Sequence, residues 1–190
     1  MHLPVLQGEA LERLGLKVRL GEQACNKCKG KCCKGFPGDT VPKQWKVDGE
    51  IDWEKIKQAL ISKRWVVDCI YIDYQSESEP YGNLPFIRPA HESSKYVFDT
   101  DIPLNHKSAC TFLSDSGCTL PVSDRPAGCL LLIPYLVESE GGQLDILCGY
   151  PDEIGSATFK TFAAKAWLPY RRELLAMADE VQAHIDREKS

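Results

Sequence analysis

No apolar run in the sequence approaches the roughly 20 residues that a bilayer-crossing helix needs, which excludes an integral membrane protein of the helical kind. The stretch Met1 to Glu9 has no basic segment followed by a long apolar one, so no secretory signal is expected. Positive charge is also scarce. Lys and Arg number 23 against 27 Asp and Glu, for a formal net charge of −4 and a pI near 5.6. That balance excludes a broad electrostatic footprint on nucleic acid or anionic lipid. There is no Gly-rich phosphate loop, no Gly-x-Ser-x-Gly elbow and no His-Glu-x-x-His, so the best-known phosphate-binding, hydrolase and zinc-peptidase chemistries have no residues to rest on. Internal repeats, low-complexity tracts and linkers are absent too.

What is present is ordinary globular composition with one excess. At 43% hydrophobic and 26% charged residues the chain should bury a core, and 190 residues fit a single domain spanning 1–190. The excess is cysteine, nine in all. Without a secretory signal the default address is cytoplasmic, where thiols stay reduced. Nine is odd, and a chain of 190 residues needs no disulfide scaffold in place of a core, so metal is favoured over disulfides.

The cysteines are grouped. Cys25, Cys28, Cys32 and Cys33 read Cys-Asn-Lys-Cys-Lys-Gly-Lys-Cys-Cys, and Cys110, Cys118, Cys129 and Cys148 follow in the second half. Thiolate is the softest protein ligand, and a Cys-x-x-Cys knuckle can bind one ion without stretching the backbone. The adjacent pair Cys32 and Cys33 point in different directions, so either they serve two neighbouring centres or one is a ligand and the other a supporting thiol. Gly117 permits the turn that brings Cys118 back toward Cys110. Lys27, Lys29, Lys31 and Lys34 interleave with the first cluster; the plainer reading is that they offset thiolate charge in solvent, the sharper one that they form a small anion-docking patch. His106 is a candidate nitrogen ligand, although a lone loop histidine is more often solvated, and it stays outside the ligand set. Arg125 reads as a charge-assisted donor toward a thiolate rather than as a substrate binder. Asp99, Asp101, Glu77 and Glu79 read as exposed charges.

Between and after the clusters the pattern is α+β: a small antiparallel sheet with flanking helices and a loop-rich cysteine lobe over about 25–148. Gly8 to Leu16 reads as a short helix and Gly35 to Pro42 as loop. Asp52 caps a helix from Trp53 to about Ser62 with Ile56, Ala59 and Leu60 on one face. Trp65 to Asp73 reads as a strand, with Cys69 on the side of Trp65, Val67 and Tyr71 and therefore core rather than ligand. Gln75 to Asn83 reads as a polar loop, and Leu84–Pro89 and Lys95–Phe98 as short strands about a turn at His91, the first confined to an edge by Pro85 and Pro89. Leu130–Val137 and Gln143–Cys148 flank Glu140-Gly141-Gly142 as a hairpin that brings Cys129 and Cys148 together at its open end. A helical segment over about 156–188 carries Phe159, Phe162, Ala163 and Ala166, then Leu174, Met177, Val181 and His184, at helical spacing, with a break at Pro169.

The order Cys-x-x-Cys, vicinal Cys32-Cys33, then Cys110-x-Phe112-Leu113 with Gly117-Cys118, then Arg125-Pro126-x-x-Cys129, then Cys148, resembles the cysteine-cluster family of zinc- or iron-chelating proteins known by a CxxCxxCC signature. The resemblance spans roughly Cys25 to Cys148. Two positions depart from it: three residues rather than two separate Cys28 from Cys32, leaving the roles of Cys32 and Cys33 open, and Leu130 stands where a basic residue commonly follows the cysteine. The resemblance implies a metal-binding protein holding zinc or an iron–sulfur cluster, in one or two centres, on Cys25, Cys28, Cys32, Cys33, Cys110, Cys118, Cys129 and Cys148. The motif lacks the ferredoxin run of spacings, so the balance favours zinc. No nucleic acid or membrane partner is expected, and a protein or redox partner fits either metal. An iron–sulfur redox enzyme or a thiol-dependent catalyst is the alternative of a different class.

Overall fold

The computed structural model describes residues 30, 32–34, 38–72, 82–94, 96–97, 109–138, 144–149 and 156–189, with the backbone alone at 32, 71–72, 82–83, 133–138, 144–149 and 156–160. The expected helix over Gly8 to Leu16 and most of the polar loop from Gln75 lie outside these residues. An α+β architecture is present. Among the described residues it is built from four separate two-stranded antiparallel ladders rather than one small sheet: β1 (Lys46–Val47) with β2 (Glu50–Ile51), β3 (Trp65–Ile72) with β4 (Gly82–Pro89), β5 (Leu113–Ser114) with β6 (Gly117–Cys118), and β7 (Ile133–Glu138) with β8 (Leu144–Gly149).

The core is organised around β3 and β4, paired from Trp65↔Pro89 to Ile72↔Gly82. A two-stranded ladder has only edge strands, and an uncovered edge invites foreign pairing. Here both edges are engaged at the Val67–Ile87 pair. The Val67 N–H donates to Val97 O at 2.8 Å, and Ile87 O accepts the Thr40 N–H at 2.9 Å and the Thr40 hydroxyl at 2.7 Å. Val97 thus supplies one carbonyl from a bend; Tyr96 and Val97 do not extend into the expected strand, and Lys95 and Phe98 lie outside the described residues.

Helix α1 (Trp53–Ile61) starts where Asp52 Oδ1 accepts the Lys55 N–H at 2.9 Å, as its capping position requires. It buries Ile56 and Leu60 completely. Helix α2 (Ala127–Leu130) is a single turn leading into β7. Helix α3 (Ser156–Trp167) is followed by a 3-10 turn at Leu168–Tyr170 and then by α4 (Arg171–Glu188). Pro169 sits in that turn, where its missing N–H interrupts the helical ladder. α3 and α4 pack on β3 and β4, and α4 also lies along α1.

The buried face of α3 overlaps only in part with the Phe159, Phe162, Ala163 and Ala166 spacing read from the sequence. Phe162 is 54% exposed, and Ala163, Ala164 and Trp167 face the core instead. Small residues let the helix approach the ladder closely, and the Trp167 indole N–H reaches Thr40 O at 3.0 Å, a hydrogen bond a buried tryptophan needs. On α4 the buried positions are Leu174, Ala178, Val181 and Ile185, whereas His184 lies on the solvent side. Each large apolar side chain so buried contributes about 1.5–3 kcal/mol relative to exposure.

The core also contains an ion pair that periodicity did not announce. Arg88 Nε donates to Asp68 Oδ2 at 2.8 Å, with only 3% and 9% of the two side chains exposed. Arg88 Nη1 donates to Pro89 O at 3.0 Å, and Asp68 Oδ1 accepts the Cys69 N–H at 2.7 Å. Cys69 itself is partly buried and is not a member of the core cluster. Burial and the neighbouring Asp68 carboxylate push its thiol up to about 12, so it stays protonated at neutral pH and is a poor ligand.

Candidate metal centre

The segment after the first cysteine cluster is tied into the core and into the second cluster at once. Thr40, 1% exposed, is the knot. Its N–H and hydroxyl both donate to Ile87 O. Its own Oγ1 accepts the Trp45 indole N–H at 3.0 Å and its carbonyl the Trp167 indole N–H. Two residues earlier, the Gly38 N–H donates to Cys129 Sγ at 3.2 Å, and next to it Asp39 O accepts the Gly128 N–H at 2.9 Å. A Cβ at Gly38 would lie 2.6 Å from the Gly128 carbonyl carbon and 2.7 Å from Cys129 Sγ. Only glycine permits this approach.

Gln44, in the 3-10 turn Pro42–Trp45, holds the Arg-Pro element from the other side. Its Nε2 donates to Arg125 O at 2.8 Å, and its Oε1 accepts the N–H groups of Val41 at 3.2 Å and Ala127 at 3.0 Å. Arg125 is 9% exposed and donates from Nε to Leu120 O at 3.1 Å, bracing the loop between Cys118 and Cys129.

The Cys110 turn is anchored by its motif phenylalanine. Phe112 is 4% exposed, lies 5.2 Å from the Trp65 ring and carries the Arg64 guanidinium at 3.9 Å from its centroid, a stacked cation–π contact. Arg64 Nη2 donates to Thr111 O and the Thr111 hydroxyl to Arg64 O, each at 3.0 Å. The Leu113 N–H closes the turn on Cys110 O at 2.9 Å, and β5 and β6 pair Leu113 with Cys118, as the Gly117 turn required.

The end of the first cluster meets the start of the second. The Cys110 N–H donates to Cys33 O at 2.9 Å. Gly30, which lies between Cys28 and Cys32, has a φ of 67° and leaves no room for a Cβ against the Leu113 side chain. The 3-10 turn Cys32–Lys34 lies alongside β8, where Cys148 pairs with Pro134 at the open end of the β7–β8 hairpin. Cys129 sits in α2, separated from β7 by Leu131 and Leu132, so the expected strand from Leu130 begins only at Ile133.

Of the eight proposed ligands, Cys25 and Cys28 lie outside the described residues, and Cys32 and Cys148 are placed by backbone. None of Cys33, Cys69, Cys110, Cys118 and Cys129 is in a disulfide. Cys110 is 5% exposed and the other four are partly buried. Among the described residues no three His, Cys, Asp or Glu side chains are gathered to hold an ion. His106 and three of the four lysines of the first cluster also lie outside; Lys34 is exposed. The residues that position the lobe, Gly38, Thr40 and Gln44, went unremarked in the sequence, where the only signal was the turn-rich stretch that contains the first two.

The chain matches no family model, no curated protein and no solved structure. The donor set nevertheless fits a soft metal on structural grounds: cysteines distant in sequence lie on adjoining backbones, and a backbone N–H is aimed at the Cys129 sulfur across a gap that a Cβ would fill. Thiolates bound to metal accept such N–H donors, which stabilise the charge on sulfur. Among the described residues no helix is long and apolar enough to cross a membrane.

Proposed function

We propose that the protein binds a metal through Cys25, Cys28, Cys32, Cys33, Cys110, Cys118, Cys129 and Cys148, as one or two all-cysteine zinc or iron–sulfur centres, in the manner of the CxxCxxCC cysteine-cluster family it resembles. The observation that carries this reading is the hydrogen bond from the Cys110 N–H to Cys33 O, which lays the last residue of the first cluster against the first of the second, 77 positions further along the chain. Bound metal would supply a cross-link between loops distant in sequence, a contribution on the order of 10 kcal/mol in small zinc modules. Zinc suits a purely structural role of this kind, in a cytoplasmic protein.

An iron–sulfur centre serving a redox enzyme is the second reading. Leu130, Leu131 and Leu132, at 3%, 6% and 5% exposure, form a dry flank directly after Cys129, and solvent exclusion together with N–H···S bonds is how proteins tune cluster potentials. Anaerobic purification with metal analysis and a visible spectrum tests both. Colourless protein with stoichiometric zinc supports the first, brown protein with iron and sulfide the second, and protein with neither metal overturns the proposal.

A further inference from the structure

A cleft of about 270 Å³ lies at the seam between the core and the lobe. Trp45, 4% exposed, and the half-buried Trp65 give it an aromatic lining, their rings meeting edge to face at 5.2 Å. Helix α1 contributes Lys55 and Ala59, one turn apart, and the loop before Arg125 contributes Leu120, Ser123 and Asp124. Both contributors are fixed to the Pro42–Trp45 turn. The N–H of Asp52, the cap of α1, donates to Trp45 O at 2.8 Å. On the lobe side Gln44 Nε2 holds Arg125 O, and Arg125 Nε holds Leu120 O. The shape of the opening is therefore set by the fold.

The charged groups of the cleft are oriented before any ligand arrives. Lys55 Nζ lies 5.7 Å from the centroid of the Trp45 ring, a cation–π contact that holds the ammonium toward the aromatic lining. The Ser123 hydroxyl donates to Asp124 Oδ1 at 3.1 Å. Lys55 and Asp124 are exposed, and among the described residues neither is in an ion pair. The ammonium thus keeps its donors and the carboxylate most of its lone pairs for a ligand. One cation and one anion on the same cleft disfavour a phosphate, which Asp124 would repel, and a simple amine, which Lys55 would repel. They match a ligand that carries both charges. The lining of indole, Leu120 and Ala59 takes an apolar group, and a volume just below the roughly 300–1,000 Å³ of small-molecule sites limits that group to a single side chain.

We propose that this cleft binds a free α-amino acid with an apolar side chain: its carboxylate on the Lys55 ammonium, its ammonium on the Asp124 carboxylate, its side chain against Trp45, Trp65 and Leu120. The site uses none of the cysteines and stands apart from the metal reading. Isothermal titration calorimetry of the purified full chain tests it, with leucine, with phenylalanine, and with the amine and the carboxylic acid made by removing one charged group from each. At least one of the two amino acids should saturate one site per chain. Loss of either charge, in the ligand or through Lys55→Met or Asp124→Asn, should weaken binding about 10–100-fold, as expected for a hydrogen bond between charged groups. Lys57→Met, which breaks an ion pair with Glu180 from the same helix, should leave binding unchanged. If a variant does not fold, the comparison of amino acid, amine and acid on the wild type still decides. Absence of saturation by both amino acids up to about 10 mM overturns the proposal. So does binding of an amine or acid as tight as that of its parent, binding that survives both Lys55→Met and Asp124→Asn, or binding that Lys57→Met weakens as much as they do.

Discussion

The β3–β4 core and the cysteine lobe are held together by different forces. In the core, eight-residue strands and three helices bury Trp167, Phe86, Leu84, Ile87, Ile56, Leu60 and Leu174 almost completely. The hydrophobic effect suffices there, and the polar groups that enter, Thr40 and the Asp68–Arg88 pair, are hydrogen-bonded. Apart from the β7–β8 hairpin of six-residue strands that carries Cys148, the described lobe has two-residue strands, 3-10 turns and one four-residue helix. Its cohesion comes from single backbone bonds to Cys33, Cys129 and Gln44 and from one stacked phenylalanine. Elements that short cannot bury enough surface to hold themselves together. The contrast teaches that the core should fold without metal and the lobe should not.

Chelation breaks the comparison most sharply. If the proposed metal is bound, stripping it should abolish hydrogen-exchange protection over 110–129 while α4 and the β3–β4 ladder keep theirs, because ligation, on the order of 10 kcal/mol in small zinc modules, would be confined to the lobe. Uniform loss across the chain, or none, would show that the two regions do not differ in this way.

A second test goes the other way, into the core. Asp68→Leu leaves the Arg88 guanidinium buried without its carboxylate and should cost about 3–5 kcal/mol in denaturant unfolding, whereas Asp68→Leu with Arg88→Met should recover most of that. Metal content should be unchanged in both variants. A fall in metal content would mean the core and lobe are energetically one unit.

Gly38→Ala probes the seam. The new methyl must displace the α2 turn or the 38–41 segment, at about 1–3 kcal/mol for overpacking. Metal content should drop while the thermal transition of the core shifts by only a few degrees. Retention of full metal occupancy would show that the Gly38 N–H to Cys129 contact is dispensable.

The smallest effect is expected at Cys69. Cys69→Ala should leave metal content intact and cost about 1 kcal/mol. Its thiol is protonated more readily in the fold than in the unfolded chain, being raised to about 12 from an ordinary value of 9.0. The stability this provides is present below pH 9 and is lost as pH rises through the folded value. Thiol-reagent labelling of Cys69 should therefore be slow at pH 8 and accelerate only above about pH 10; rapid labelling at pH 8 would contradict the burial that raises it.

Legibility followed the same division. Local signals carried α1, because Asp52 supplies its own cap, and carried β3 and the β7–β8 hairpin through alternation and the intervening glycines. Pro169 announced the break between α3 and α4. Phe162 misled because helical spacing admits two overlapping faces on α3, and the one that inserts is chosen by how Trp167 reaches Thr40. The Asp68–Arg88 pair and the His91–Cys110 bridge were hidden for another reason: both join residues about 20 positions apart through strand pairing, and no local pattern encodes the partner of a buried polar side chain.

By itself, then, the sequence determined the ingredients that act over short range: a cysteine-rich chain of modest negative charge, its capped helix, its proline break, its alternating strands and the two clusters of soft donors. Helix caps, turns and side-chain alternation are settled within a few residues, so they can be read one segment at a time. Only the tertiary structure decided which of those donors meet. Cys33 against Cys110, Cys129 against Gly38, and His91 across from Cys110 are products of β3–β4 register and of the Thr40 knot, and register is a property of two segments together.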